Sequence, residues 1–159
     1  MGKIVGIDLG TTNCAIASLD EVGKPKIVSN QDGSNITPSV IYFDGDNVVV
    51  GEEAKKATQY DPENCIRFVK REMQKEEAKI NIKNKSFSPE ECSSLILKKI
   101  CKDFEQLEGE IQEAVITVPA NFNELARSRT MTAAKIAGIN IQSIINEPTA
   151  AALFYASKT

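Results

Sequence analysis

The first half of the chain carries short apolar runs rich in β-branched residues, and this pattern predicts β-strands. The runs cover residues 4–9, 14–19, 26–29, 39–43 and 47–50, and glycine, proline, asparagine and aspartate separate them. Those separating residues favour turns, because each suits backbone conformations that regular elements avoid. We therefore expect the amino-terminal part of the chain to be mostly strand.

Helical signals begin after the last of these runs. The pattern predicts short helices at about residues 52–58 and 63–72, followed by a polar, poorly patterned stretch. A stronger start comes at Ser88, which can cap a helix, with proline at the first helical position and Glu91 placed to complete a capping box. Apolar residues then recur at helical spacing until Gly109, which ends this helix.

The last third of the chain alternates strand and helix. Residues 114–118 and 139–145 form apolar runs typical of buried strands, and between them a helix capped by Asn123 ends at Gly138. A final helix is expected to open at Glu147 and its following proline. Strands followed by alternating helices and strands indicate an α/β architecture.

A polar loop between the first two strands carries the clearest chemical signal. Asp8 closes the first strand, and Gly10, Thr11, Thr12 and Asn13 follow it. Gly10 permits a close backbone approach to an anion, successive N–H groups can cradle a phosphate, and Asp8 offers oxygen to Mg²⁺ or its waters. The alternative is an ordinary polar hairpin turn. The phosphate interpretation gains weight because an aspartate on a buried strand would need a partner.

Composition narrows the classes of function. Nineteen Lys and Arg against 22 Asp and Glu give a formal net charge of -3, which does not favour nucleic-acid binding. No apolar run reaches membrane-spanning length, and no signal peptide opens the chain, so no membrane partner is expected. Neither GxxxxGK[ST] nor GxGxxG occurs, and the absence of histidine excludes a Ser-His-Asp or Cys-His hydrolase. Cys14, Cys65, Cys92 and Cys101 lack metal-site spacing, so free and mostly buried thiols are expected.

Three sequence blocks together resemble one known family. They are Asp-Leu-Gly-Thr-Thr-Asn at residues 8–13, Ala-Val-Ile-Thr-Val-Pro-Ala at 114–120 followed by Phe-Asn at 122–123, and Ile-Ile-Asn-Glu-Pro-Thr-Ala-Ala-Ala at 144–152. In this order they resemble the DnaK-type chaperones, the seventy-kilodalton heat-shock family. The resemblance implies an α/β fold of the ribonuclease-H-like, actin type. Residues 1–159 would form the first, amino-terminal lobe of the nucleotide-binding domain, with a subdomain inserted at about 39–110.

The same resemblance implies a nucleotide site with ATP or ADP and Mg²⁺ as cofactors. Asp8 would hold the metal through water, while Gly10, Thr11, Thr12 and Asn13 would surround the β- and γ-phosphates. The activity implied is ATP hydrolysis that controls the binding of unfolded polypeptides. This chemistry depends mainly on positioning and electrostatics, which suits a chain without histidine.

Four further residues take their roles from the resemblance alone. Lys70 would orient the attacking water and stabilise the charge of the γ-phosphate, and Glu147 would act on the metal's water shell and help position the nucleophile. Pro119 and Arg127 would relay the nucleotide state to the substrate domain. Each has a simpler alternative. Lys70 could be a solvated helix lysine and Glu147 a helix-capping acid. Pro119 could be only a strand terminator and Arg127 a surface charge.

Two departures from the family pattern bear on partners. Asn121 stands where the family usually has tyrosine, so sensing of the nucleotide is expected to differ. Ser143 stands where many bacterial members place an arginine for J-domain co-chaperones, so docking there is expected to be weaker. The partners implied for the complete protein are unfolded polypeptides, a J-domain co-chaperone and a nucleotide-exchange factor, and the expected location is the cytoplasm.

The chain stops soon after the third block, at Thr159. The second phosphate loop, the adenosine motif and the substrate-binding domain would lie in further sequence, so we expect this chain alone to bind ATP weakly and to turn it over at no more than a trace rate. Two alternatives remain open: a non-catalytic half-domain that acts as an interaction or structural module, and a sugar or acetate kinase-like member of the actin-type superfamily.

Overall fold

The computed structural model describes residues 2–19, 22, 24–82, 85–118 and 121–146. Its strands are β1 (Lys3–Leu9), β2 (Asn13–Leu19), β3 (Pro25–Ile27), β4 (Thr37–Pro38), β5 (Val40–Asp44), β6 (Asn47–Val50), β7 (Cys65–Arg67), β8 (Ile80–Ile82), β9 (Lys85–Phe87), β10 (Ile111–Val118) and β11 (Ile141–Asn146). Its α-helices are α1 (Glu52–Ala57), α2 (Val69–Glu72), α3 (Pro89–Glu108) and α4 (Glu124–Ile136). A single 3-10 turn covers Pro62–Asn64.

The main sheet has the strand order β11-β10-β1-β2-β3, and β4 adds to β2. The β1–β10 and β10–β11 pairs are parallel, whereas β1–β2 and β2–β3 are antiparallel. Asp8 at the end of β1 lies opposite Thr117 near the end of β10. Because the carboxyl ends of parallel strands share one edge of a sheet, the loop after β1 opens at that edge.

Burial along β1 follows the two-residue period of a strand with one covered face. Val5, Ile7 and Leu9 are buried in the core, whereas Ile4 and Asp8 are exposed. The prediction that this run is a buried strand is therefore correct for one face and wrong for the other. Alternating burial of this kind is typical of a sheet that packs on helices from one side.

One hydrophobic cluster joins the main sheet to its surroundings. It combines Ile7 and Ile116 of the main sheet with Ile41 of β5 and Phe104 of α3, and all four side chains are fully buried. The continuous cluster means that the smaller sheet, of order β6-β5-β7, shares its core with the main one. The smaller sheet and the β8–β9 hairpin both lie within residues 39–110, and the predicted subdomain boundary itself stays a prediction.

Both long helices begin and end where the sequence predicts. Ser88 Oγ accepts a hydrogen bond from the Glu91 backbone N–H at 3.1 Å, and the Glu91 carboxylate accepts one from the Ser88 N–H at 3.1 Å, which completes the capping box. Gly109 follows α3 with a φ of 99°, and Asn123 caps α4 through its side chain. Gly138, shortly after α4, has a φ of 77°. A positive φ costs glycine little, so it suits the ends of helices.

The predicted helix at residues 63–72 is wrong. The structure instead has the Pro62–Asn64 turn, the three-residue strand β7 and the single-turn helix α2. Strand β7 hydrogen-bonds to β5, and Phe68 follows it with a left-handed φ of 60°. Tertiary pairing therefore outweighs the weak helical pattern of this stretch.

Smaller differences concern two other segments. The strand predicted at 26–29 is observed at Pro25–Ile27. The polar stretch after α2 contains the β8–β9 hairpin, in which Ile82 is buried although the surrounding sequence shows no clear alternation. Pro119, Glu147 and the helix predicted to open at Glu147 lie outside the described residues. Among the helices that are described, none is both long enough and apolar enough to cross a membrane.

Candidate phosphate-binding site

The loop after β1 closes tightly on its own backbone. A Cβ atom at Gly10 would lie 2.0 Å from the carbonyl oxygen of Asn13, far inside van der Waals contact. Leu9 and Cys14 are paired across the antiparallel strands, so only a few residues turn the chain around. Gly10 is thus needed to close the loop, in addition to any role in letting an anion approach.

Ser39 holds this loop from the side. Its hydroxyl donates to the Gly10 carbonyl at 2.9 Å, and its backbone N–H donates to the Thr12 carbonyl at 2.9 Å. The side chain is buried, so both bonds are shielded from water. Ser39 could not be recognised from the sequence, because a serine at the start of a strand carries no distinctive signal. We call Gly10, Thr11, Thr12 and Ser39 the clamped loop.

A buried thiol lies behind the clamped loop. The Cys14 sulfur is 2.9 Å from Ser39 Oγ, and burial raises the pKa of this thiol to about 11. The negative charge of Asp8 also raises that pKa, whereas the positive charge of Lys70 lowers it. The charges of Asp8 and Lys70 therefore both act on the Cys14 thiol, in opposite directions.

Asp8 lies at the edge of the site with its side chain exposed. Thr117 Oγ1 donates a hydrogen bond to Asp8 Oδ1 at 3.3 Å from the neighbouring strand β10. The expectation that Asp8 is buried is wrong, because the face of β1 that carries it is open, whereas the expected partner is present in Thr117. An exposed carboxylate beside a phosphate loop can instead receive a hydrated cation.

Lys70 lies on α2, a helix of one turn that follows directly on β7 and Phe68. Its side chain is half-buried, and its Nζ atom lies 5.9 Å from the centre of the Phe122 ring. Phe122 is itself buried against Met73, Val118 and Ala126. The face of an aromatic ring attracts an ammonium group. Lys70 therefore contacts the buried Phe122 ring and is not a fully solvated lysine.

The clamped loop also lines a concave space. Thr11, Thr12 and Asn13 line a cavity of about 200 Å³ together with Lys55 and Arg67. Neither Asp8 nor Lys70 lines it. Cationic side chains thus lie near the loop on this side as well, and the positive charge favours an anionic ligand at the loop.

The remaining predicted site residues are placed as follows. Arg127 is half-buried on α4, and its backbone N–H bonds to the Asn123 carbonyl. Within the described parts of the chain, no group of three or more His, Cys, Asp or Glu residues could hold a metal ion. A site built on Asp8 alone fits Mg²⁺, which keeps several of its waters and takes phosphate oxygens as ligands.

The chain is an α/β protein with a mixed sheet, helices packed against it and a tightly closed loop at the carboxyl end of β1. A family model described as Hsp70 protein matches residues 4–77 and 72–158, and the chain belongs to this family. The fold is thus the ribonuclease-H-like, actin-type ATPase fold, of which the chain forms part of one lobe. Members of this family are chaperones with an ATPase domain that binds ATP or ADP with Mg²⁺, and they work with substrates and co-chaperones.

Proposed function

We propose that this chain supplies the first phosphate-binding half of the ATPase domain of a DnaK-type chaperone. The observation that carries the proposal is the clamped loop with Asp8 at its edge and Lys70 within electrostatic reach. In the complete protein, ATP hydrolysis would control the binding and folding of unfolded polypeptides. The family match favours this function over a sugar or acetate kinase and over a non-catalytic module.

Each residue contributes one physical task in this proposal. The backbone N–H groups and hydroxyls of the loop residues Gly10, Thr11, Thr12 and Asn13 hold the β- and γ-phosphates. Asp8 holds the waters of Mg²⁺, which neutralises charge on the phosphates when it is bound. Lys70 orients the attacking water and stabilises negative charge that develops during transfer.

Residues 119 and 147 and the proposed partners enter on family resemblance. Glu147 is proposed to act on the metal's water shell, and Pro119 and Arg127 to relay the nucleotide state. A J-domain co-chaperone, a nucleotide-exchange factor and unfolded polypeptides are the proposed partners of the complete protein, and the cytoplasm is the proposed location. Asn121 and Ser143 are proposed to change nucleotide sensing and co-chaperone docking.

We expect the chain by itself to bind Mg-ATP weakly. Asp8 is exposed, and a charge contact in water is worth far less than the same contact in a dry cleft. Affinity is therefore expected near the millimolar range, which corresponds to about -4 kcal/mol. A form extended through a second lobe would enclose the phosphates and should bind much more tightly.

Calorimetry with Mg-ATP on both forms tests the proposal. In the extended form, Asp8→Asn should remove the dependence of ATP affinity on Mg²⁺. Asp44→Asn is the matched control, because Asp44 is an exposed aspartate at the β5–β6 turn. This substitution removes the same negative charge as Asp8→Asn. Equal effects of the two variants, or submicromolar binding by the chain alone, would contradict the assignment of this site.

A further inference from the structure

Arg129 on α4 donates hydrogen bonds to backbone carbonyls at the end of α2 and in the turn that follows. Arg129 Nη1 donates to the carbonyl oxygens of Glu72 and Met73, both at 3.2 Å, and to that of Lys75. Its Nη2 donates to the Glu76 carbonyl at 2.8 Å. Only 11% of the Arg129 side chain is exposed. One guanidinium therefore binds four carbonyl groups of the segment that directly follows Lys70.

Arg129 adds donors to the last carbonyls of the short helix α2 and to carbonyls of the turn that follows it. The last carbonyls of any helix lack intrahelical partners, and a helix of one turn is not stable by itself. Within this segment the Met73 N–H reaches the Lys70 carbonyl only at 3.3 Å, and the Lys75 N–H reaches the Glu72 carbonyl at 3.2 Å. The planar fork of an arginine can donate to several oxygens at once, which a lysine cannot do in the same geometry.

Other contacts hold the guanidinium itself in place. Glu90 Oε2 on α3 lies 3.9 Å from Arg129 Nε and forms an ion pair with it. The segment that Arg129 binds is held separately, because Met73 packs against Phe122 and Ala126. Arg129 thus connects α4 and α3 to the turn after α2, beside the same Phe122 ring over which Lys70 lies. A shift of α2 would break these bonds and move Lys70 relative to the ring.

We propose that Arg129 is a positioning residue that fixes α2 and so holds the ammonium group of Lys70 over the Phe122 ring. The proposal rests on the proposed function only for the catalytic role of Lys70; the positioning itself is a property of this chain. Arg129 also connects α4, which carries Arg127, to the segment that follows Lys70. Neither the spacing nor the family resemblance indicated Arg129.

The test uses NMR on the chain itself without nucleotide. The Phe122 ring should shift the Lys70 CεH₂ signal upfield, and Lys70→Arg assigns that signal. In Arg129→Gln this shift should collapse towards the value of an exposed lysine, and exchange of the Arg71 and Met73 amides should accelerate by about tenfold or more. Lys135→Gln is the control, because it removes one positive charge from an exposed position on the same helix. The control should leave both signals unchanged.

An unchanged Lys70 signal with unchanged exchange in Arg129→Gln overturns the proposal, and so does an equal response in Lys135→Gln. If Arg129→Gln does not fold, Arg129→Lys keeps the charge and should give a smaller change in the same direction; no change in that variant also overturns it. Hydrolysis by a form extended through a second lobe is measured separately. A displaced Lys70 with full hydrolysis would contradict the catalytic role of Lys70 and leave the positioning by Arg129 intact.

Discussion

At the scale of single residues, Gly10 has no room for a larger side chain. Gly10→Ala would force a Cβ atom to within 2.0 Å of the Asn13 carbonyl oxygen, so the loop must open. We expect a loss of about 2–3 kcal/mol in the free energy of unfolding, as for other overpacked sites. Urea unfolding measures this loss, and faster exchange of the Ser39 amide should accompany it because that amide bonds to Thr12.

Gly45→Ala serves as the comparison for this prediction. Gly45 has a φ of 62° but nothing within 4 Å of the added carbon, so only its backbone conformation opposes substitution. That penalty is about 1–2 kcal/mol for an alanine. A Gly10→Ala protein no less stable than Gly45→Ala, with its Ser39 amide still protected, would show that the loop tolerates the extra carbon.

The sequence identifies only those residues of the site whose chemistry is local. Asp8 and Gly10 stand two positions apart in a recognisable pattern, and Lys70 follows from the family resemblance. Ser39 and Arg129 act through contacts with backbone carbonyls that are distant in sequence, and neither residue type signals such a contact. The exposure of Asp8 was mispredicted because an apolar run does not reveal which face of a strand is covered.

At the scale of secondary structure, the same distinction separates correct from wrong predictions. Helices α3 and α4 were predicted with their ends, because Ser88, Asn123 and the terminal glycines act on their own neighbours in sequence. The stretch at 63–72 failed because β7 depends on pairing with β5, which no local pattern records. The β8–β9 hairpin has three-residue strands, too short for alternation to be detected.

Helix α2 carries the prediction for catalysis. In a form extended through a second lobe, Lys70→Ala should remove most hydrolysis while nucleotide affinity stays nearly unchanged. The reason is that Lys70 is proposed to act on charge that develops in the transition state, where one lost contact costs about 3–4 kcal/mol. Single-turnover hydrolysis and calorimetric affinity should be measured on the same preparation.

Arg71→Ala is the matched control on the same turn. Arg71 stacks on Phe68 at 4.4 Å from the ring centre, so its removal takes away a cation from α2 without changing Lys70. An equal loss of rate and affinity in Lys70→Ala would show a binding residue only. Comparable rate losses in the two variants would assign the effect to the charge of the helix as a whole.

At the scale of the whole molecule, three buried thiols make stability depend on alkaline pH. Burial raises the pKa of Cys14 to about 11, and that of Cys92 and of Cys101 to about 12, from an ordinary 9.0. Above pH 9 the unfolded chain therefore loses thiol protons that the folded chain keeps. Unfolding is favoured as pH rises, so this contribution to stability is complete below pH 9 and is lost between pH 9 and about 12.

The expected slope follows from the number of thiols. Between about pH 9 and 10 the free energy of unfolding should fall by about 2–4 kcal/mol per pH unit, since each thiol contributes up to about 1.4. Urea unfolding at closely spaced pH values measures the slope. A variant with Cys14→Ser, Cys92→Ala and Cys101→Ala should have a much flatter profile over this interval. Equal slopes in the two proteins would rule out the thiols as the cause.

The parallel pairing of β1 with β10 also sets an order of events during synthesis. Asp8 and Thr117 face each other across the sheet although 109 residues separate them in the chain. At about 5–20 residues per second, a ribosome needs on the order of 5–20 s to bridge that gap. During this interval β2, β3 and β4 can already assemble with β1, but the other edge of β1 still lacks its partner β10. A nascent form of this chain therefore exposes the unpaired edge of an apolar strand.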